Sequence, residues 1–195
     1  MNPDEITADA RKLREALSIL PEPVVRATLV LVSGLPGTGK SHFSRRLAEK
    51  LPSAIVESDA LRRKLFQDPT YSVQESQRLF SACHALIEGL LSQGISVILD
   101  ATNLAEHHRE PLYRIAGRVG AKLIVVQVEA PGELVRHRLK LRAEGIDPLD
   151  KSDAGWDVYQ KMKTRTERIR RNYFSVDTSR DITPVVDKIV REARR

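Results

Sequence analysis

Apolar positions along the chain fall into two kinds of run. Ala27-Thr-Leu-Val-Leu-Val-Ser33, Ile95-Ser-Val-Ile-Leu-Asp100 and Ala121-Lys-Leu-Ile-Val-Val-Gln-Val128 are short and nearly continuous. Such runs, without polar alternation, predict strands buried on both faces. Ser53–Glu57 and Phe174–Asp177 predict two shorter strands. The other kind of run spaces apolar residues three and four apart, which predicts helices. These cover Ile6–Leu20, His42–Leu51, Asp59–Phe66, Val73–Gln93, Leu104–Val119, Pro131–Ala143, Trp156–Arg171 and Ile182–Arg195. Pro21-Glu-Pro23 ends the first helix and Gly94 the fourth, since neither residue type continues a helix well. Pro111 must sit early in its helix or kink it. Gly145–Gly155 is a polar loop. Strands alternating with helices predict an α/β domain over residues 24–195, a parallel sheet of about five strands covered by helices on both faces. Residues 1–23 read as an N-terminal helical extension. Ligands of such a sheet gather at the carboxyl ends of its strands.

At the end of the first predicted strand stands Gly34-Leu-Pro-Gly-Thr-Gly-Lys-Ser41, which matches the phosphate-binding pattern G-x-x-x-x-G-K-[ST]. A strand before it and a helix after it are the context this motif needs. The loop wraps so that backbone N–H groups point at phosphate oxygens, and the helix N-terminus adds positive potential. Gly34, Leu35, Pro36, Gly37, Thr38, Gly39, Lys40, Ser41 and His42 are therefore the expected nucleotide-binding residues. Lys40 is expected on the β- and γ-phosphates and the Ser41 hydroxyl on Mg²⁺. ATP and Mg²⁺ are the expected cofactors.

Composition changes this picture little. With 195 residues, 41% apolar and 30% charged, the chain suits one globular domain. No apolar stretch approaches the roughly 18 residues of a membrane span, and Met1-Asn-Pro-Asp-Glu5 lacks the basic-then-apolar order of a signal peptide. The single cysteine, Cys83, leaves no internal disulfide and fits a reducing cytoplasm. Its helical spacing with Leu79, Phe80, Leu86, Ile87 and Leu90 predicts core packing. A cytoplasmic protein without membrane partners is expected. Charge adds more: the net value is +6, and Leu134–Arg171 alone holds 11 basic against 6 acidic residues. Such a stretch can draw in a polyanion or help hold nucleotide phosphates, and a plain solvated helix face explains it equally.

What the loop does with its nucleotide depends on other residues. There is no Asn-Lys-x-Asp guanine-reading motif, and Asp100 is followed by Ala101 rather than by a glutamate. No residue stands out to orient an attacking water, and the chain is short for an ATPase core with a separate helical lid domain. These features favour transfer over hydrolysis. Transfer needs an acceptor site, and Glu57-Ser58-Asp59 ends the second strand beside the phosphate loop. A carboxylate there can take the proton of an attacking hydroxyl. Arg62, three residues on, shares the helix face of Asp59 and could grip an anionic part of the acceptor. The plain alternative is that Ser58 or Asp59 caps a helix and Arg62 is solvated.

Gly34–Ser41, Asp59-x-x-Arg62, and Thr102-Asn-Leu104 with Arg109 following together resemble the 5′-hydroxyl polynucleotide kinase branch of the P-loop kinases, a set that includes zeta-toxin-like phosphotransferases. The resemblance spans roughly residues 29–177 and implies a kinase-type P-loop NTPase fold with a helical lid. It implies Asp59 as general base, Arg62 on the phosphate next to the accepting hydroxyl, and Thr102, Asn103 and Arg109 along the acceptor side. In the polynucleotide kinase pattern an acid can directly precede Thr-Asn-Leu, whereas here Ala101 does and the acid is Asp100. Asp100 could assist Mg²⁺ through water, or be a buried structural carboxylate. Kinases of this type close an arginine-bearing lid over the phosphates. Arg138 and Arg142, four apart on one helix face, are the expected lid cations. The Gly145–Gly155 loop resembles the mobile lid segment, and Val176-Asp-Thr-Ser179 lies where such folds cradle adenine.

His42, His84, His107, His108 and His137 form no H-x-x-x-H pair, so only nucleotide-bound Mg²⁺ is expected as a metal. The leading expectation is an ATP-dependent kinase for a hydroxyl, foremost the 5′-OH end of a nucleic acid. The runner-up is a small-molecule kinase for a sugar, nucleoside or antibiotic, which suits an aromatic content of only 5%. A third reading is a nucleotide-binding regulatory module whose Ile6–Leu20 helix could dock a partner or a second copy of the chain.

Overall fold

β1 (Thr28–Ser33) is buried at every position. Leu29 and Leu31 enter one apolar cluster, and Val30 and Val32 enter another on the opposite face, as the period of two requires. The computed structural model describes residues 2–17, 20–144 and 154–195; most of the predicted Gly145–Gly155 loop lies outside the described residues. Around β1 stand β2 (Ala54–Glu57), β3 (Val97–Asp100), β4 (Lys122–Glu129) and β5 (Phe174–Asp177). They form a five-stranded sheet of order β2-β3-β1-β4-β5 with every pair parallel. The register sets Val32 of β1 and Glu57 of β2 level with Asp100 of β3. Three carboxyl ends therefore meet at one edge, the expected position for a ligand in such a sheet.

Eight helices lie among the described residues: α1 (Pro3–Glu15), α2 (Lys40–Ala48), α3 (Ser58–Leu65), α4 (Val73–Ser92), α5 (Glu106–Arg118), α6 (Gly132–Ala143), α7 (Trp156–Lys163) and α8 (Thr183–Ala193). Leu13, Leu61, Leu79 and Leu112 bring α1, α3, α4 and α5 onto one face of the sheet. Phe43, Leu47, Val186 and Ile189 bring α2 and α8 onto the other. Burying both faces lets the strand sequences run nearly continuously apolar. Pro111 is accommodated inside α5.

Two elements differ from expectation. The N-terminal helical extension is part of the packed domain: α1 packs against α3 and α4. Leu13 is fully buried, and Asp9 takes two hydrogen bonds from the Arg78 guanidinium at 2.6 and 2.9 Å. The apolar side that carries Leu13 thus covers this chain's own core. The predicted helix Trp156–Arg171 stops at Lys163. Beyond it the chain is drawn onto α5: the Glu167 amide donates to the Leu104 carbonyl at 3.0 Å, and the Glu167 carboxylate accepts from the Glu106 amide at 2.9 Å. Ile169 enters the core. These tertiary bonds replace the helical ladder that the local pattern predicted.

Candidate active site

The phosphate loop joins β1 to α2 over residues 34–39. Gly37 and Gly39 hold φ values of +77° and +90°, conformations that L side chains rarely adopt. Space around both is tight as well. A Cβ on Gly37 would stand 3.0 Å from side-chain carbons of Val135 and Leu139, and one on Gly39 would stand 3.1 Å from the Thr178 hydroxyl. The loop is thus packed on its outer side by α6 and by the turn after β5. Its path is fixed internally too, since the Thr38 hydroxyl donates to the Leu35 carbonyl at 2.8 Å. The Lys40 ammonium donates to the same carbonyl at 3.0 Å. Lys40 and Ser41 open α2, whose first turn carries no acidic residue, so the helix terminus is left positive for phosphate. His42 is exposed in that turn. Partial burial, then Arg45, Arg46 and Arg138, hold its imidazole below the usual value.

Asp100 ends β3 at the carboxyl edge of the sheet, level with Glu57 of β2. It is 4% exposed. Burial pushes its carboxyl above the ordinary carboxylate range; Lys40 and the hydrogen-bonding Ser41 hydroxyl oppose this, while the negative charge of Asp59 adds to it. Lys40, Ser41 and Asp59 therefore lie within electrostatic reach of one buried carboxylate. Its Oδ2 has no hydrogen-bond partner, which is costly for a buried oxygen unless a cation or water completes it. That orphaned oxygen beside a serine hydroxyl fits a magnesium site of hard oxygen donors. Asp59 sits in the first turn of α3, directly after β2, and is half-buried.

The Thr102-Asn103 turn, expected to line the acceptor side, also anchors the loop and β1. The Gly34 amide donates to the Thr102 carbonyl at 3.1 Å, and the Asn103 side-chain amide donates to the Val32 carbonyl at 2.8 Å. Asn103 holds φ +46°, a conformation asparagine tolerates better than most residues. Arg109 is fully buried. It donates to the Asn103 carbonyl at 2.7 Å, to the Glu106 carboxylate at 2.7 and 3.0 Å, and to the Glu167 and Arg168 carbonyls at 3.4 Å. With its donors so committed, it stands as an internal clamp rather than an acceptor contact.

Arg62 also differs from the expected acceptor contact. It is 5% exposed and pairs with Glu75 of α4, with the Ser76 hydroxyl at 3.3 Å and the Tyr71 ring centroid at 4.7 Å. Burial alone would raise the Glu75 carboxyl. Bonds from the Thr70 amide, Arg62, the Thr70 hydroxyl and the Tyr71 amide outweigh it and lower the group to about 2. Sequence reasoning missed Glu75. The readable signal was Ser72-x-x-Glu75, a capping-box pattern at the start of α4. Ser72 does cap, accepting from the Glu75 amide at 3.2 Å.

On the far side of the loop, Arg138 donates to the Thr178 hydroxyl at 2.8 Å, the Thr178 carbonyl at 3.0 Å and the Gly37 carbonyl at 3.4 Å. The Thr178 hydroxyl in turn donates to the Thr38 carbonyl at 2.6 Å. Partial burial lowers the Arg138 pKa against the opposing effect of Asp177. Arg142, one turn on, is half-buried. Leu35 of the loop packs into a small cluster with Val135, Leu139, Tyr159 and Trp156, which ties the phosphate loop to α6 and α7. Ser152 and Asp153 of the expected lid lie outside the described residues. No group of three or more potential metal ligands occurs among the described residues, and no described helix is long and apolar enough to cross a membrane.

Parallel order, phosphate loop and helical cover define a P-loop NTPase fold of the kinase type. The chain belongs to the family described as AAA domain, whose model matches residues 29–169. It is 26% identical over 157 residues to the L-seryl-tRNA(Sec) kinase of Methanococcus maripaludis, a match covering 74% of this chain and 62% of that one. It is 28% identical to an uncharacterized protein of Mycobacterium tuberculosis, over 85% of this chain and 37% of that one. The chain thus spans less than two thirds of the length of these curated relatives. The Mycobacterium tuberculosis APS kinase, solved with AMPPNP and APS, shares the fold with a TM-score of 0.64 and 20% identity, over 89% of this chain and 100% of that one.

Proposed function

We propose that the protein is an ATP-dependent phosphotransferase that moves the γ-phosphoryl group to a hydroxyl, with Asp59 as general base. The observation that carries this reading is that β1 with its phosphate loop, β2 with Asp59 just beyond it, and β3 with the buried Asp100 end level at one edge of the sheet. Loop amides and Lys40 hold the β- and γ-phosphates. Ser41 and Asp100 are the residues that would hold Mg²⁺, which when bound neutralises phosphate charge. The acceptor oxygen attacks the γ-phosphorus as its proton passes to Asp59. The bond to the β-phosphate oxygen breaks, and ADP is the leaving group. To Arg138, whose guanidinium bonds Thr178 and the Gly37 carbonyl, and to Arg142, one turn further on α6, we assign the offsetting of charge on the nucleotide. Relatives carrying the word kinase in their names support transfer over hydrolysis.

Of the two acceptor classes, the 5′-OH nucleic acid end draws support from exposed Lys161, Lys163, Arg165, Arg168 and Arg170. A small hydroxyl compound draws more, because Arg62 and Arg109, the cations meant for a nucleic acid phosphate, are committed to internal partners. We therefore favour a small-molecule hydroxyl kinase. Labelled ATP and Mg²⁺ with a panel of polyols, sugars, nucleosides and 5′-OH oligonucleotides tests it. Transfer to a small acceptor in preference to oligonucleotides is expected; preferred labelling of oligonucleotide ends would reverse the choice of acceptor.

A further inference from the structure

The buried pair Arg62–Glu75 joins α3, the helix that carries the proposed base, to α4. Asp59 and Arg62 are three residues apart on α3, so their side chains leave the helix on one face. Glu75 closes that face. One of its carboxylate oxygens takes Arg62 and the Tyr71 amide at 3.2 Å; the other takes the Thr70 amide at 2.6 Å and the Thr70 hydroxyl at 2.8 Å. Four donors occupy both oxygens, and the glutamate matches the arginine charge for charge. The same bonds hold Tyr71 at φ +55°, with its ring over the guanidinium and its surface 45% exposed. A cation one turn from the base along α3 is thus paired with a carboxylate and roofed by an aromatic ring, its two terminal nitrogens bonded to Glu75 and Ser76 and its Nε without a hydrogen-bond partner.

We infer that this unit makes the acceptor subsite beside Asp59 electrically neutral. It selects hydroxyl compounds without a phosphate next to the accepting hydroxyl, and Glu75 is the positioning residue that imposes the choice. The inference rests on the reading of Asp59 as base. A phosphate-bearing acceptor would have to draw Arg62 away from Glu75, leaving a buried carboxylate without its cation, which is strongly unfavourable. An uncharged polyol or nucleoside leaves the pair intact and meets the wet edge of Tyr71.

Acceptor pairs that differ only in one phosphate provide the test: glycerol against glycerol 3-phosphate, and adenosine against adenosine 3′-monophosphate. The wild type is expected to prefer the uncharged member of each pair in kcat/KM. Glu75→Gln, which keeps the side-chain shape and removes the charge, should move the ratio about tenfold or more toward the phosphate-bearing member, the worth of one charge-assisted hydrogen bond. A second arm needs no turnover. With AMPPNP bound, inorganic phosphate should raise the melting temperature of Glu75→Gln and not that of the wild type. Should Glu75→Gln fail to fold, the double variant Arg62→Met with Glu75→Leu removes both charges at similar volume and should keep the wild-type preference. A wild type that prefers the phosphate-bearing acceptors overturns the inference, as does a Glu75→Gln ratio that stays put, or a double variant that loses the preference. A phosphate effect on Glu75→Gln without transfer by any form would instead uphold the silenced cation and remove the kinase reading.

Discussion

Replacing Leu13 by alanine tests whether α1 is part of the domain. Leu13 is 0% exposed and lies in the large cluster with residues of α3, α4 and α5. Truncating a leucine at such a site loses its transfer free energy and leaves a cavity that the surroundings only partly fill, a cost of about 3–4 kcal/mol. For a chain of this size each kcal/mol moves the melting temperature by about 2–4 °C, so a fall of roughly 6–16 °C is expected. Lys12, the exposed neighbour, provides the control: Lys12→Ala should change stability by less than about 0.5 kcal/mol. Circular dichroism melts of the two variants and the wild type give the comparison. A Leu13→Ala shift no larger than that of Lys12→Ala would refute the packing argument and restore α1 as a detachable extension. Because α1 also touches α3, which carries Asp59, the same melts with ATP added show whether the nucleotide-bound form feels the loss.

Other outcomes follow from single contacts. Thr178→Ala removes the hydroxyl that links Thr38 to Arg138 and should weaken ATP binding about 5- to 10-fold, roughly the net worth of one such hydrogen bond; calorimetric affinities equal to wild type would contradict it. Trp156, the single tryptophan, stacks on Tyr159 at 4.8 Å in the cluster that includes Leu35. Its fluorescence should respond to ATP, and Leu35→Ala should blunt the response; a signal blind to nucleotide would show that loop and α7 are uncoupled. Glu75 has a folded value of about 2 against an ordinary 4.5. It therefore contributes stability above the ordinary value, and that contribution is lost as pH falls from about 4.5 toward 2. Acid denaturation of Glu75→Gln should be flatter than that of the wild type across this window, and parallel curves would refute the assignment.

The sheet was legible because a strand covered on both faces must be apolar almost throughout, as β1, β3 and β4 are. The phosphate loop was legible because its glycines and lysine act through backbone and local geometry that a motif encodes. The acceptor side was less so. An arginine three residues after an aspartate reads as a grip for an anionic acceptor or as a solvated side chain, and its burial depends on Glu75, thirteen positions away. The capping-box pattern announced the start of α4, yet the glutamate turns to Thr70, Tyr71 and Arg62. Thr102-Asn-Leu104 carried a family resemblance, and its bonds tie the turn after β3 to Gly34 of the loop and to Val32 of β1. The end of α7 was overrun because periodicity continues past Lys163, whereas the tertiary bonds of Glu167 and Arg109 decide the path. Local pattern reports period and turn chemistry; it is silent on which distant charge a side chain will meet.

The central claim is that Asp59 accepts the proton of the attacking hydroxyl. Asp59→Asn keeps shape and polarity and removes the base. Single-turnover transfer from labelled ATP should fall by about 100-fold or more, in the range expected for a lost general base, while the affinity for ATP stays at the wild-type value. Transfer at an undiminished rate would contradict the account and leave nucleotide capture as the function of the loop.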